Sequence, residues 1–103
     1  MDSFKEIEVE KAKELIDQGG VTVVDIRNED VYEEAHIAHA ILVNDHNIEE
    51  FVKTADKNKP LICYCYHGFS SQSAAAYFIE NGFQEVYSMI GGFEGWRAEF
   101  LNV

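Results

Sequence analysis

Short apolar runs alternate along the chain with segments in which apolar residues recur every three or four positions. The runs at residues 21–26, 40–43, 61–65 and 86–90 are rich in β-branched or aromatic residues. Runs of this length and composition are typical of strands that are buried on both faces of a sheet. The pattern therefore predicts four buried strands, and residues 4–7 are expected to add a short first strand.

Helical periodicity connects these runs. Four apolar residues stand at positions i, i+3, i+4 and i+7 of an amphipathic helix: Ile48, Phe51, Val52 and Ala55. A second apolar stripe, which ends at two glycines, consists of Val9, Ala12, Leu15 and Ile16. We expect another helix over residues 71–81, with Asn81 and Gly82 as its stop signal and Phe78 in contact with Phe83 across that cap. A last helix is expected after Gly91.

Two asparagines are expected to cap helices at their N-termini. Asn28 precedes Glu29 and Asp30, whose carboxylates suit the positive end of a short helix. Asn47 and Glu50 have the spacing of a capping interaction, with Asn in place of the usual Ser or Thr. Both patterns predict that an asparagine side chain accepts a hydrogen bond from the first turn of its helix.

The order of these elements predicts the fold class. Strands that alternate with helices indicate a parallel sheet, because parallel neighbours need a crossover connection that is usually a helix. A chain of 103 residues can bury one core but not two. The prediction is an α/β fold, with one domain over residues 1–103 and a mainly parallel five-stranded sheet flanked by helices on both faces. Ligands of such sheets bind beyond the carboxyl ends of the strands.

Charge and composition exclude several classes of partner. The formal net charge of −11 disfavours a nucleic acid or an anionic membrane surface as partner. The apolar runs are shorter than the roughly 20 residues of a membrane-spanning helix, and no secretory signal is visible at the start. The histidines outside the 65–71 segment lack metal-ligand spacing: His36, His39 and His46. We therefore expect a cytoplasmic protein with no metal, no cofactor, no nucleic acid partner and no membrane partner.

The segment of residues 65–71, named here the Cys65 loop, is the main candidate for chemistry. Cys65 leaves a predicted buried strand and faces the first amides of the next predicted helix. These amides lack partners within the helix, and the helix dipole adds partial positive charge, so both favour a thiolate and lower the pKa of a cysteine. Cys63, two residues earlier, lies within the strand and is expected to be a buried apolar residue. Both cysteines are expected to be free thiols.

Four segments of the chain, in the same order and over nearly its whole length, resemble the rhodanese domain family. They are the Cys65 loop, the strand end Val24-Asp-Ile-Arg27, the segment from Tyr32 to Ala40, and the turn Gly91-Gly-Phe-Glu-Gly-Trp96. The loop, with Asn44-Asp45 before a helix, is most similar to small single-domain thiosulfate sulfurtransferases of the GlpE type. Two features depart from the family pattern. The usual Gly-His-Ile-x-Gly-Ala reads Ala35-His-Ile-Ala-His-Ala40, and neither Arg nor Lys stands beside Cys65.

The resemblance implies a two-step sulfur transfer with Cys65 as the nucleophile. Cys65 would take the outer sulfur of thiosulfate, release sulfite, and pass the sulfur from a persulfide to cyanide or a cellular thiol. Thioredoxin is the candidate protein acceptor, and a monomer is expected. The substrate-binding set implied by the resemblance is Tyr66, His67, Gly68, Phe69, Ser70 and Ser71.

Within this set, the backbone N–H groups are expected to surround the persulfide, with Gly68 providing an unconstrained backbone. The hydroxyls of Ser70 and Ser71 are expected to donate at the mouth of the loop. Two positions keep open alternatives: His67 either tunes the thiolate or faces solvent, and Phe69 either contacts a protein acceptor or is partly buried.

Two further functions are compared with sulfur transfer. Cysteine phosphatases place an arginine six positions after the cysteine, where its guanidinium binds the phosphate. Ser71 occupies that position here, and the two arginines of the chain, Arg27 and Arg97, lie outside the loop. A phosphatase is therefore disfavoured, and Arg27 is expected to brace neighbouring loops together with Asp25. A sulfur-carrier or interaction module, loaded by a specific protein donor, remains an alternative.

Overall fold

A computed structural model describes residues 3–100 as an alternation of five strands and five helices. In chain order the elements are β1 (Lys5–Ile7), α1 (Val9–Gln18), β2 (Thr22–Asp25), α2 (Glu29–Glu34), β3 (Ile41–Leu42), α3 (Ile48–Thr54), β4 (Leu61–Tyr64), α4 (Ser70–Glu80), β5 (Val86–Met89) and α5 (Gly92–Phe100). The predicted α/β alternation is confirmed. The boundary that matters most is the end of β4, because Cys65 lies just beyond the strand instead of within it.

The five strands form one sheet in the order β1-β5-β4-β2-β3, and every neighbouring pair is parallel. β4 lies in the centre, with Cys63 in register with Val24 of β2 on one side and with Ser88 of β5 on the other. All strands therefore end at the same edge. The Cys65 loop leaves this edge at its centre, where the sequence predicts a ligand site.

Helices cover both faces of the sheet, as predicted. Ile62 and Tyr64 of β4 pack into one buried cluster with residues of α1 and α5, including Trp96. Leu61 and Cys63 point to the other face and pack with residues of α3 and α4, including Phe78. All four residues of β4 are fully buried. Burying a Leu or Ile side chain contributes about 1.5–3 kcal/mol, so the central strand is a rigid base for the loop that follows. Within residues 3–100, no helix has the length and apolarity to cross a membrane.

The predicted helix caps are only partly present. The Phe78–Phe83 contact is confirmed, since the ring centroids lie 5.4 Å apart and Gly82 takes a positive φ of 98° at the helix end. Neither Asn28 nor Asn47 caps its helix through its side chain, so those two predictions are wrong. Asn47 Oδ1 instead accepts a hydrogen bond from the Asn44 amide at 2.8 Å.

The reasons lie in the backbone. Asn47 has φ −122° and ψ 1°, outside the extended conformation that directs a capping side chain at its helix. Its Nδ2 donates to the Leu42 carbonyl at 2.8 Å, so this side chain fastens β3 to the start of α3. Asn28 has the extended conformation but is exposed, and its side chain is left to solvent.

His39 is strained in the turn before β3. Its φ of 69° makes it the one non-glycine residue within residues 3–100 to have a positive φ. The rhodanese pattern has glycine at this position. The turn itself is formed, since the Ala40 amide donates to the Ile37 carbonyl at 2.9 Å. The left-handed conformation costs a residue with a Cβ about 1–2 kcal/mol. The turn is therefore kept with His39 in place of glycine, but its backbone is strained at this residue.

Replacing His39 by glycine is therefore expected to stabilise the protein. The free energy of unfolding should rise by about 0.5–1 kcal/mol, because relief of the strain exceeds the greater backbone entropy of glycine in the unfolded chain. Urea denaturation measures the change. The matched control is His46→Gly, at an exposed position with no positive φ, where the entropy term alone should lower stability. A His39→Gly protein no more stable than the wild type would contradict this interpretation.

Candidate active site

The Cys65 loop folds around the sulfur of its first residue. Two backbone amides, of Gly68 and Ser71, donate to Cys65 Sγ at 3.2 Å each. The side chain is nearly enclosed, with 4% of Cys65 exposed. α4 begins at Ser70, one residue earlier than predicted, so the Ser71 amide belongs to the first turn of the helix and has no helical partner. The loop thus presents several N–H donors to one sulfur atom.

These donors determine the ionisation of the two cysteines. Burial opposes ionisation of Cys65, but hydrogen bonds from the hydroxyl and amide of Ser71, and from the loop amides of Gly68 and His67, outweigh it and lower its pKa. Burial instead raises the pKa of Cys63 far above its ordinary value. The Cys63 thiol contacts the Ser71 carbonyl at 3.4 Å and is fully buried. The loop thus favours the thiolate form of Cys65, whereas burial favours the neutral thiol of Cys63, as the sequence predicts for Cys63.

The two serines of the loop differ from their predicted positions. Ser71 is fully buried and lies beneath the sulfur, with its Oγ 3.4 Å from Cys65 Sγ, instead of at the mouth. Ser70 is exposed, and no hydrogen bond joins it to Cys65 in the part of the chain that the structure describes. Because successive residues of a helix point about 100° apart, only one of these neighbours can face the sulfur.

A further serine, Ser88 of β5, lies next to Ser71. Its Oγ is 2.7 Å from Ser71 Oγ, and it is almost fully buried. The sequence analysis did not assign Ser88 to the site. A small polar residue between Tyr87 and Met89 in an otherwise apolar strand was the available signal.

The Gly91–Gly92 turn and the start of α5 hold the loop from the side. The amides of Phe93 and Glu94 donate to the carbonyls of Cys65 and Tyr66 at 2.7 and 3.1 Å. Gly68 has a φ of 96°, and a Cβ there would lie 2.9 Å from the Gly91 nitrogen. Position 68 therefore requires glycine, as predicted, because a side chain there would meet the Gly91 backbone. The sequence analysis gave the turn no role in the site.

A Cβ at Gly92 would lie 2.5 Å from the Cys65 carbonyl oxygen, and it would also overlap the Tyr66 carbonyl. The backbones of the loop and the turn thus touch, with no room for a side chain between them. The carbonyls of Cys65 and Tyr66 are thus fixed against the start of α5, while the amides of Gly68 and Ser71 point at the sulfur.

A buried ion pair supports the loop from below. Arg27 Nη2 lies 2.7 Å from Asp25 Oδ2 and donates to the Ala35 carbonyl at 2.6 Å. Its guanidinium carbon lies 4.1 Å from the Phe93 ring centroid and 5.9 Å from that of Tyr66. Burial lowers the pKa of Arg27, but the hydrogen bond and charge of Asp25 outweigh it and raise the pKa, so Arg27 stays a cation. These contacts agree with the predicted bracing role of this pair.

The outer face of the loop is apolar and exposed. Phe69 is 77% exposed and Tyr66 is 38% exposed, and Ile90 of the contacting turn is exposed too. His67 is also exposed, which agrees with the second of its two predicted roles. Within residues 3–100, no three His, Cys, Asp or Glu side chains are grouped so that they could hold a metal ion.

Comparisons with known proteins agree with this fold. The family model of the rhodanese-like domain matches residues 8–99. The "Thiosulfate sulfurtransferase GlpE" of Coxiella burnetii (strain RSA 493 / Nine Mile phase I) is 47% identical over 95 residues, covering 92% of this chain and 89% of that protein. The protein of the same name from Pseudomonas fluorescens (strain SBW25) is 50% identical over 100 residues, covering 97% and 91%. A rhodanese-related protein of Thermoplasma volcanium has a crystal structure that matches with a TM-score of 0.81 at 25% identity over 94% of both chains. The chain belongs to the rhodanese-like domain family.

Proposed function

We propose that the protein is a thiosulfate sulfurtransferase in which Cys65 carries the transferred sulfur as a persulfide. The observation that carries the proposal is the set of donors on one nearly enclosed sulfur. Two backbone amides lie at 3.2 Å and one hydroxyl at 3.4 Å from Cys65 Sγ. Such a set stabilises a sulfur anion. The name shared by relatives at 47% and 50% identity supports the same activity.

In the first step the Cys65 thiolate attacks the outer sulfur of thiosulfate. A bond forms between Sγ and that sulfur, the sulfur–sulfur bond of thiosulfate breaks, and its electron pair leaves with sulfite. Sulfite is a stable anion, so no general acid is needed. The negative charge then lies on the outer sulfur of the persulfide, within reach of the amides of the Cys65 loop. The site thereby recognises an anion locally, in a chain whose net charge of −11 repels anions at long range.

In the second step a nucleophile attacks the outer sulfur and regenerates the Cys65 thiolate. Cyanide gives thiocyanate. With a dithiol, the first thiolate takes the sulfur as its own persulfide, and the second then forms a disulfide and releases hydrosulfide. We propose that the cellular acceptor is a protein dithiol such as reduced thioredoxin. The exposed rings of Tyr66 and Phe69 support this choice, because they provide an apolar surface beside the sulfur.

The other residues of the loop have separate parts in this proposal. Gly68 and Ser71 donate directly to the sulfur. Ser70 and His67 lie exposed on the solvent side of the loop, where thiosulfate would enter. The absence of an arginine six positions after Cys65 keeps a phosphatase disfavoured, because no guanidinium of the loop could bind a phosphate.

Turnover with small substrates tests the proposal. The protein is expected to form thiocyanate from thiosulfate and cyanide at a rate of about 1–10³ s⁻¹, the usual enzyme range, and to accept reduced thioredoxin in place of cyanide. The sulfur-carrier alternative predicts slow turnover with thiosulfate but rapid loading by a persulfide-bearing desulfurase. That second pattern would overturn the assignment of thiosulfate as donor while keeping Cys65 as the sulfur carrier.

We also propose that residues 1–103 act as a single domain, as a monomer, in the cytoplasm. Both cysteines are free in the structure, which suits a reducing compartment. Sedimentation of the reduced protein gives the oligomeric state directly, and a dimer would contradict the proposal.

A further inference from the structure

Two buried hydroxyls form a short chain that ends at Cys65. Ser71 Oγ lies 3.4 Å from Cys65 Sγ and 2.7 Å from Ser88 Oγ. Both serines are buried, with 0% and 1% of their surfaces exposed. Ser71 is also the one hydrogen-bond partner that the structure gives to the Ser88 hydroxyl among residues 3–100. Ser88 lies on β5, so the two hydroxyls connect this strand to the Cys65 loop and to α4.

A count of hydroxyl protons shows whether the Ser71–Ser88 pair favours the thiolate or the thiol form of Cys65. Each hydroxyl has one proton to donate. When Cys65 is a thiolate, Ser71 donates to the sulfur and Ser88 donates to Ser71, so both protons are paired. When the thiol proton is present and donates to Ser71, Ser71 donates to Ser88, and the Ser88 proton then has no acceptor in the described residues. A buried donor without a partner is unfavourable, so the pair matches the anion better than the thiol.

We infer that Ser88 is a positioning residue that directs the Ser71 hydroxyl at Cys65 Sγ and thereby favours the anionic form of this sulfur. The inference deepens the proposed function, because it assigns a new residue to the same site. Ser88 does not touch the sulfur. It acts through Ser71, whose O–H becomes a stronger donor when its oxygen accepts a hydrogen bond from Ser88.

Other titratable groups lie on the elements packed around Cys65, and the test has to separate them from this effect. His67 is in the loop itself, and Cys63 is a buried thiol that stays protonated. The remaining groups are Glu94 at the start of α5, Glu6 on β1, Glu85 and Tyr87 near or on β5, and Tyr64 with the Asp25–Arg27 pair on the other face of the sheet. Ser88→Ala changes the charge of none of them.

The experiment measures the alkylation rate of Cys65 with iodoacetamide against pH, followed by intact mass. Ser88→Ala is expected to shift the profile about half to one pH unit to the alkaline side, which is the effect of losing one ordinary hydrogen bond to the thiolate network. Below the midpoint, alkylation should slow about 3- to 10-fold, while the rate at high pH should stay the same. The His67→Gln background removes the imidazole of the loop and should keep the shift.

Three further variants decide between positioning and packing. Ser88→Thr keeps the hydroxyl and should restore the wild-type profile. Ser88→Ala in a Ser71→Ala background should add no shift, because the intermediary is already gone. Ser73→Ala, at an exposed position of α4, should leave the profile unchanged.

An unshifted profile in Ser88→Ala, or an equal shift with and without Ser71, would overturn the inference. A Ser88→Thr profile shifted as far as that of Ser88→Ala would also overturn it. Alkylation needs no sulfur transfer, so these outcomes do not depend on whether thiosulfate is the donor. Failure of thiosulfate to load the protein would equally leave this measurement intact.

Discussion

Replacing Cys65 by serine is expected to abolish sulfur loading while the fold stays intact. Loss of an enzyme's nucleophile lowers turnover by several orders of magnitude, and we expect at least about 10³-fold here. A hydroxyl has no comparable affinity for the outer sulfur of thiosulfate and is not ionised near neutral pH. The fold should tolerate the change, because the oxygen of the new side chain can accept hydrogen bonds from the Gly68 and Ser71 amides, which donate to Sγ in the wild type.

Intact mass after incubation with thiosulfate measures this prediction. The wild-type protein should become heavier by one sulfur atom, and cyanide should remove that sulfur. The Cys65→Ser protein should stay at its own mass in both treatments. Thermal unfolding followed by circular dichroism should give similar midpoints for the two proteins.

Cys63→Ser is the matched control, since it makes the same change two residues away, within the strand that leads into the loop. Cys63 is fully buried and its thiol is held neutral by burial, so this variant should still load sulfur. Any loss should appear in its stability, because a more polar group replaces an apolar one in the core. Loading in Cys65→Ser but not in Cys63→Ser would mean that our mechanism assigns the sulfur to the wrong cysteine.

The sequence predicts the Cys65 site well because most of that site is local. Cys65, Gly68 and Ser71 lie within seven consecutive residues, and the amides of Gly68 and Ser71 meet the sulfur through the geometry of one strand-to-helix loop. The strands are predicted for a related reason. Burial on both faces leaves a run of apolar residues, and β4 is such a run, with every residue fully buried.

The contacts that the sequence does not predict depend on segments far apart in the chain. Ser88 reaches Ser71 across 17 positions, and the amide of Phe93 reaches the Cys65 carbonyl only because β5 and β4 are neighbours in the sheet. Periodicity carries no information about such pairings. The failed prediction at Asn47 has a different origin: the residue type suits a cap, but the backbone and the nearby Leu42 carbonyl give its side chain another partner.

These distant contacts give the site its rigidity. The carbonyls of Cys65 and Tyr66 are bonded to the amides at the start of α5, while the loop amides face the sulfur. The Tyr66 carbonyl and the His67 amide belong to one planar peptide unit and lie on opposite sides of it, so the bond to Glu94 directs the His67 amide, which helps to lower the pKa of Cys65. The Gly91–Gly92 turn is therefore as much a part of the donor arrangement as the Cys65 loop, although it contributes no atom to the reaction.

Gly92→Ala should consequently impair both stability and activity. The new Cβ would lie 2.5 Å from the Cys65 carbonyl oxygen and would overlap the Tyr66 carbonyl, so the loop has to move away from α5. Overpacking against backbone typically costs about 1–3 kcal/mol, and the positive φ of 59° adds about 1 kcal/mol. Because the displaced loop carries the amides that stabilise the sulfur anion, we expect sulfur loading by thiosulfate to fall about 10²-fold or more.

Gly20→Ala separates the clash from the conformational strain. Gly20 has a positive φ of 77°, but a Cβ there would meet nothing within 4 Å. This variant should lose only about 1 kcal/mol and should load sulfur at the wild-type rate. Urea denaturation and the alkylation profile of Cys65 are compared for the two variants. If Gly92→Ala kept the wild-type profile and loading rate, contact between the turn and the loop would have no part in forming the thiolate site.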